Sequence, residues 1–316
     1  MMDTSHAPAI PACGLSLVAF SKAEEVAEYL RDTGEEASFE LSYMMAPAFV
    51  EEVAPLLRNK VLSVHACCPA TECFPNFASA DPEVLAQSFA DMDETLETAL
   101  RFGASIVVLH PGYATDSAMP SSYAARKVLL AGAEFASDAR SGEGSICVPD
   151  YTRRSSYKQF AERTMERLAD LAERFAAHGV RVAAENLNPR VGYLFQTPEE
   201  MVEAAHLHRN LGLCLDIGHL YISSFAYGFD FLEAIRTIAA TGKVLTCHLH
   251  GNSSNPGRFR DDHQSLDRNG FPYKEALEIL RGTGANLILE LLEEPLRNSR
   301  LLKRFLAADG AASQVY

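Results

Sequence analysis

Hydrophobic positions along this chain follow two alternating rhythms. Short runs rich in leucine or β-branched residues end in polar side chains, and stretches with apolar residues at every third or fourth position follow them. Eight runs read as strands, at 14–19, 38–41, 61–65, 106–110, 180–185, 211–216, 244–250 and 287–290. Helical patterning covers 22–31, 48–57, 82–101, 157–177, 198–206, 229–240, 273–280 and 299–306. Two of these helices have marked starts. Asp81 stands as an N-cap before Pro82, and Thr197 as a cap before Pro198, with proline in the first turn where it is favoured.

Eight strand-then-helix units in 316 residues predict a single-domain (β/α)8 TIM barrel, with the barrel itself over 13–310. A doubly wound open sheet is the alternative. It normally carries a glycine-rich first βα turn, and Ala19-Phe20-Ser21-Lys22 has no glycine. The connection 113–156 is too long for a simple link. It is expected to hold a helix at 122–136 and an irregular loop with Gly142, Gly144 and Pro149, as an insertion or lid over the site.

Composition narrows the function class. Hydrophobic residues make up 47% and charged residues 22%, the balance of a folded globular chain. Asp+Glu number 42 against 28 Lys+Arg, a formal charge of −14, which speaks against a protein that grips many phosphates of nucleic acid and suits one that holds divalent metals. No run approaches the ~18 apolar residues of a membrane span. The start, MMDTSHAPAIPACG, lacks the charged and apolar segments of a signal peptide. Seven cysteines without a CxxC pair argue against a disulfide framework, and the expected compartment is the reducing cytoplasm. Cys67, Cys68 and Cys73 share one loop, either as a thiolate metal site or as small buried thiols.

Chemistry gathers where the strands end. His65, His110, Glu185, Asp216, His248 and Glu290 each close or follow a strand, with His219 three residues after Asp216 and Asp261-Asp262-His263 in a later loop. In a (β/α)8 barrel those ends form the active-site face. Each residue alone has an ordinary reading: a hydrogen-bonded histidine, a helix cap at Asp216, a solvated loop, an ion pair. Six strand ends with the same ligand chemistry point instead to a divalent metal centre, with Zn2+ first and Mn2+ or Fe2+ as alternatives. His6, His178, His206 and His208 have no such placement and read as tail and surface residues.

The segments VLSVHA, VVLHPGY, VAAENL, LCLDIGH, CHLHGN, RDDHQ and LILELL, covering strands three to eight from roughly Val61 to Glu290, resemble the xylose-isomerase-like barrel superfamily, and within it the endonuclease IV (AP endonuclease family 2) branch. The resemblance implies nine ligands for up to three zinc ions. His65, His110 and Glu185 would hold one; Glu185, Asp216, His248 and Glu290 a second; His219, Asp261 and His263 a third. The family's spacing to the Asp-x-His pair selects His248 over His250, which lies on the same strand face and is expected to line the site. The loop after His65 departs from the nuclease pattern, with extra residues and no aromatic close behind the histidine.

The leading expectation is therefore a metal-dependent phosphoester hydrolase. Glu185 and Glu290 would set the metals and handle the proton, and Arg258, Arg260 and His250 would contact substrate. A small phosphodiester or nucleotide-like substrate is favoured over abasic DNA, since cobamide-remodelling phosphodiesterases share the superfamily. The alternative is a sugar or sugar-phosphate isomerase or epimerase using one metal and the Glu185/Glu290 pair, which leaves five ligands unexplained.

Overall fold

Backbone hydrogen bonds along eight parallel strands close into a ring. The computed structural model describes residues 11–34, 36–43, 45–140 and 145–308. Among them lie ten strands: β1 (Cys13–Ser16), β2 (Phe39–Leu41), β3 (Val61–His65), β4 (Cys73–Phe74), β5 (Ile106–Leu109), β6 (Met119–Pro120), β7 (Arg181–Glu185), β8 (Leu211–Asp216), β9 (Val244–Leu249) and β10 (Asn286–Leu289). The barrel order is β1-β10-β9-β8-β7-β5-β3-β2, with β1 paired back onto β2. Strands β4 and β6 form a separate antiparallel pair. This is the single-domain TIM barrel that the alternation predicts.

Among the described residues ten α-helices surround it: α1 (Ala23–Thr33), α2 (Pro47–Val53), α3 (Pro82–Phe102), α4 (Tyr123–Leu130), α5 (Ser155–Ala176), α6 (Pro198–Leu207), α7 (Ile217–Tyr227), α8 (Phe231–Ala239), α9 (Tyr273–Leu280) and α10 (Pro295–Ala308). Their starts follow local chemistry. Asp81 accepts from the Glu83 amide at 2.8 Å, and Pro82 takes the first turn of α3. Thr197 and Glu200 form a reciprocal capping box on α6. Thr164, Leu168, Leu171 and Phe175 of α5 are fully buried, at the three- and four-residue spacing of one helix face.

Three differences from the sequence reading have physical causes. Asp216 offers a helix cap as one reading and does cap α7, but the pattern predicts no extent for that helix: most of it is buried, so no polar face alternates with an apolar one. The helix expected at 122–136 stops at Leu130, and a short 3-10 turn follows Gly132. The strand expected at 14–19 ends at Ser16, because Leu17–Ala19 turns into a 3-10 helix. Gly142 and Gly144 of the expected insertion loop lie outside the described residues, as does His6.

Strand periodicity positions the site. Ile106, Val108, Ala183 and Cys214 pack together as a small apolar cluster of their own. Side chains two residues apart on a strand share a face. Ala183 therefore shares its face with Glu185, Cys214 with Asp216, and Thr246 with His248. The register places Asp216 beside His248 on neighbouring strands.

Replacing Asp81 with Ala should cost about 1 kcal/mol of stability by removing the α3 cap. Urea unfolding should show a lower midpoint with an unchanged slope, and an unchanged midpoint would mean the cap contributes nothing.

Candidate metal centre

Glu185 sits at the top of β7 with 1% exposure, surrounded by imidazoles. His65 Nε2 is 3.0 Å from its Oε2 and His110 Nε2 3.6 Å from the same oxygen. His248 Nδ1 and His219 Nδ1 lie 3.2 and 3.5 Å from Oε1. Burial works to raise the Glu185 pKa, and the charges and hydrogen bonds of His248 and His65 overcome it and hold the carboxyl well below its usual range. His110 goes the other way: burial pushes its pKa down to about 3, so it stands as a neutral imidazole.

The expected ligand atoms meet in overlapping groups. His65, His110 and Glu185 form one, Glu185, Asp216, His248 and Glu290 another, and His219, His250, Asp261 and His263 a third, the ligand atoms in each lying within 4.8 Å of one another. All nine sequence-derived ligand candidates appear in these groups, and Glu185 is shared by two of them. The structure adds His250 to the third. That ring is fully buried, with Nε2 3.1 Å from Asp216 Oδ1, and it stacks on His263 at 3.9 Å. It is not among the residues lining the cavity described below.

Tautomers follow from the outer partners. His65 Nδ1 faces the Ala66 carbonyl at 3.0 Å, His219 Nδ1 the Asn186 carbonyl at 3.0 Å, and His263 Nδ1 the Glu290 carbonyl at 2.9 Å. A carbonyl only accepts, so each Nδ1 donates, and Nε2 is the nitrogen left to meet a carboxylate as an N–H donor or a cation as a lone pair. Metal-binding histidines are held in this way. His263 reaches its place with φ of 41°, a left-handed conformation that a non-glycine residue adopts at some cost. Asp216 both faces the cluster and caps α7, accepting from the His219 amide at 2.6 Å. Gly218 must lack a side chain, since a Cβ there would stand 2.1 Å from the His250 ring.

These residues fit a divalent cation on their own chemistry. Asp261 Oδ1 is buried and accepts no hydrogen bond among the described residues. Glu185, Asp216 and Glu290 converge on one spot out of water, a grouping that mutual repulsion and lost solvation would oppose without a cation. Cys67, Cys68 and Cys73 belong to none of the ligand groups among the described residues, and burial pushes the Cys67 and Cys68 thiols up to about 12.

Residues 23–308 match the family described as xylose isomerase-like TIM barrel. The chain belongs to this family. It is 20% identical over 292 residues to the uncharacterized protein MJ1311 of Methanocaldococcus jannaschii, covering 90% of this chain and 84% of that one. A crystal structure of a D-tagatose 3-epimerase-like protein superposes with a TM-score of 0.68 at 20% identity, covering 96% and 99% of the two chains. The TTHB071 protein of Thermus thermophilus, from a crystal soaked with ZnCl2, gives 0.57 at 20% identity over 93% and 97%. Several further similar structures carry the names of sugar epimerases. At these identities the likeness establishes the fold. No helix among the described residues is long and apolar enough to cross a membrane.

A cavity of about 480 Å³ is lined by Arg126, Lys127, Arg190, Tyr193, Arg258 and Arg260, and Arg260 immediately precedes Asp261 of the third ligand group in the chain. Tyr193 of its wall packs on Tyr113 at 5.4 Å, and Tyr113 Oη lies 3.0 Å from His110 Nδ1, so two aromatic rings link that wall to the cluster.

Sequence reasoning missed Glu40. It sits in β2 with no exposure, takes a 2.6 Å hydrogen bond from Ser63 Oγ, and places Oε1 3.0 Å from His248 Nε2. That contact is off the ideal hydrogen-bond direction, and neither atom has another partner among the described residues. Glu40 thus turns His248 so that Nδ1 faces Glu185 and Glu290. The available signal was a carboxylate between Phe39 and Leu41 in a predicted strand.

Glu40→Gln keeps the shape and removes the charge behind His248. Metal affinity, measured by chelator competition, should fall about 10- to 100-fold. Unchanged affinity in a folded variant would show that Glu40 does not position this ligand.

Proposed function

We propose that this protein is a metal-dependent phosphoester hydrolase with a multinuclear centre, acting on a small phosphodiester or nucleotide-like molecule. One observation carries this reading. Beyond the Glu185, Asp216, His248 and Glu290 set that a single ion needs, His65, His110, His219, Asp261 and His263 gather in two adjoining groups. A one-metal reaction gives those five side chains nothing to do.

Divalent ions, Zn2+ in first place and Mn2+ or Fe2+ with the same ligand types, would supply water activation and charge neutralisation at phosphorus. The protein's residues do the rest. Glu185, shared between two groups, sets their separation. Glu290 Oε2, 3.4 Å from His248 Nδ1 and 3.9 Å from His263 Nδ1, stands between the second and third groups, where it can hold a proton. Arg258 and Arg260 line the adjoining cavity and present guanidinium groups suited to phosphoryl oxygens. The insertion 113–156 supplies part of that cavity wall through α4, which supports its role as a cover over the site.

A second reading is favoured by the solved structures that this fold resembles, many of them named as sugar epimerases. It uses one ion on Glu185, Asp216, His248 and Glu290, with the two glutamates exchanging a proton beside a carbonyl. Of the two readings, the comparisons lean to this one and the size of the ligand cluster to the first.

Protein purified without chelator should contain two to three metals per chain by mass spectrometry and should release nitrophenolate from bis-p-nitrophenyl phosphate. His263→Ala should lower that rate by about 100-fold or more. One ion per chain, no nitrophenolate with any divalent metal, and deuterium exchange into ketohexoses in D2O would overturn the hydrolase and establish the epimerase.

A further inference from the structure

Charge in the cavity beside the cluster runs against the rest of the molecule. The chain carries −14, yet Arg126, Lys127, Arg190, Arg258 and Arg260 converge on one cavity whose lining, among the described residues, includes no carboxylate. They come from three separate segments: α4, the loop after β7 and the loop after β9. Lys127, Arg258 and Arg260 form no ion pair with any described residue. Arg126 and Arg190 are half-buried and held by neutral partners. Arg126 Nη1 donates to the Pro120 and Ser121 carbonyls at 2.9 Å each, with its guanidinium over Phe74 at 5.0 Å. Arg190 Nη1 donates to Ser145 Oγ at 3.0 Å. These contacts fix position and leave the charge unneutralised.

Five like charges around a cavity of about 480 Å³ repel one another and raise the potential inside it. A single phosphoryl group is well served by one or two guanidinium forks. The surplus has a use only if more than one anionic group enters.

We propose that this cavity binds a second anionic group of the substrate, so that the natural ligand is a small molecule with at least two phosphate-class charges, one at the metal cluster and one held by Arg126, Lys127 and Arg190. The inference rests on the hydrolase reading for the first of those groups and on the cavity alone for the second. Arg260 immediately precedes Asp261, so one loop carries both a wall residue of the cavity and a residue of the third ligand group. Phosphate and carboxylate share this recognition, since a guanidinium fork matches both.

Adenosine 3′,5′-bisphosphate is a suitable probe, with AMP and adenosine as controls and tricarballylate as the polycarboxylate arm. Calorimetric titration of the metal-loaded full-length protein should give binding of the bisphosphate at least tenfold tighter than of AMP, and none of adenosine. Lys127→Glu, an exposed change on α4, and Arg190→Gln should each weaken it about tenfold, with unchanged melting temperature for Lys127→Glu. Tighter binding of tricarballylate, equally sensitive to Lys127→Glu, would also support the site and name the anion as carboxylate. Equal affinity for AMP and the bisphosphate, or insensitivity to Lys127→Glu, would overturn the proposal. So would abasic duplex DNA that binds more tightly than both small anions and loses that binding in Lys127→Glu. Release of nitrophenolate from bis-p-nitrophenyl phosphate, scored separately, tells failure of this site from failure of the hydrolase reading: hydrolysis without bisphosphate binding rejects only the cavity's role.

Discussion

A carboxylate buried at the top of a barrel strand governs this structure. Glu185 has four imidazole nitrogens within 3.6 Å and almost no contact with water. An isolated anion in such a place would be strongly disfavoured. Its neighbours make it tolerable, and their own positions depend on it. His65 and His248 stand in strands β3 and β9, His110 directly follows β5 and His219 lies in α7 just after β8, so the cluster ties together elements distant in sequence. The closed barrel makes this convergence available by bringing every strand end to one rim. Outside that ring, backbone carbonyls and Glu40 hold the far side of the imidazoles, so ring orientation is set before any ligand arrives.

The consequence for chemistry is a division of labour. Short strand ends hold the ligand atoms on a rigid frame, while loops and the inserted helix α4 hold the cations of the adjoining cavity. The first set resembles what many reactions of this barrel share, and the second distinguishes one ligand from another. A family shows its fold through the first and individual substrates through the second. This is why fold likeness to proteins named as epimerases and a ligand set larger than one ion requires can both be true of one chain.

How much was readable beforehand follows the same division. Strand ends were legible because short continuous apolar runs mark buried parallel strands and each ends in a polar side chain, as Val182-Ala183-Ala184 does in Glu185. Helix α7 was not, because a helix buried on most sides has no amphipathic rhythm. Glu40 was hidden for a related reason: a charged residue in a three-residue strand acquires meaning only from His248, which the barrel brings to it from far along the chain. His250 appeared as a residue lining the site, and the stacking of His263 over it places it within the ligand cluster. The basic cavity was half legible: Arg258 and Arg260 flank a recognisable Asp-x-His pair, whereas Arg126, Lys127 and Arg190 belong to segments whose meeting no spacing rule announces.

The central claim is that these side chains form one coordination cluster for more than one ion. Anomalous diffraction at the zinc edge from crystals grown without chelator tests it most directly. The account predicts two or three peaks, each about 2.0–2.3 Å from its ligand atoms, with one of them shared through Glu185 and one beside His219, Asp261 and His263. A single peak confined to Glu185, Asp216, His248 and Glu290, or none at all, would contradict it.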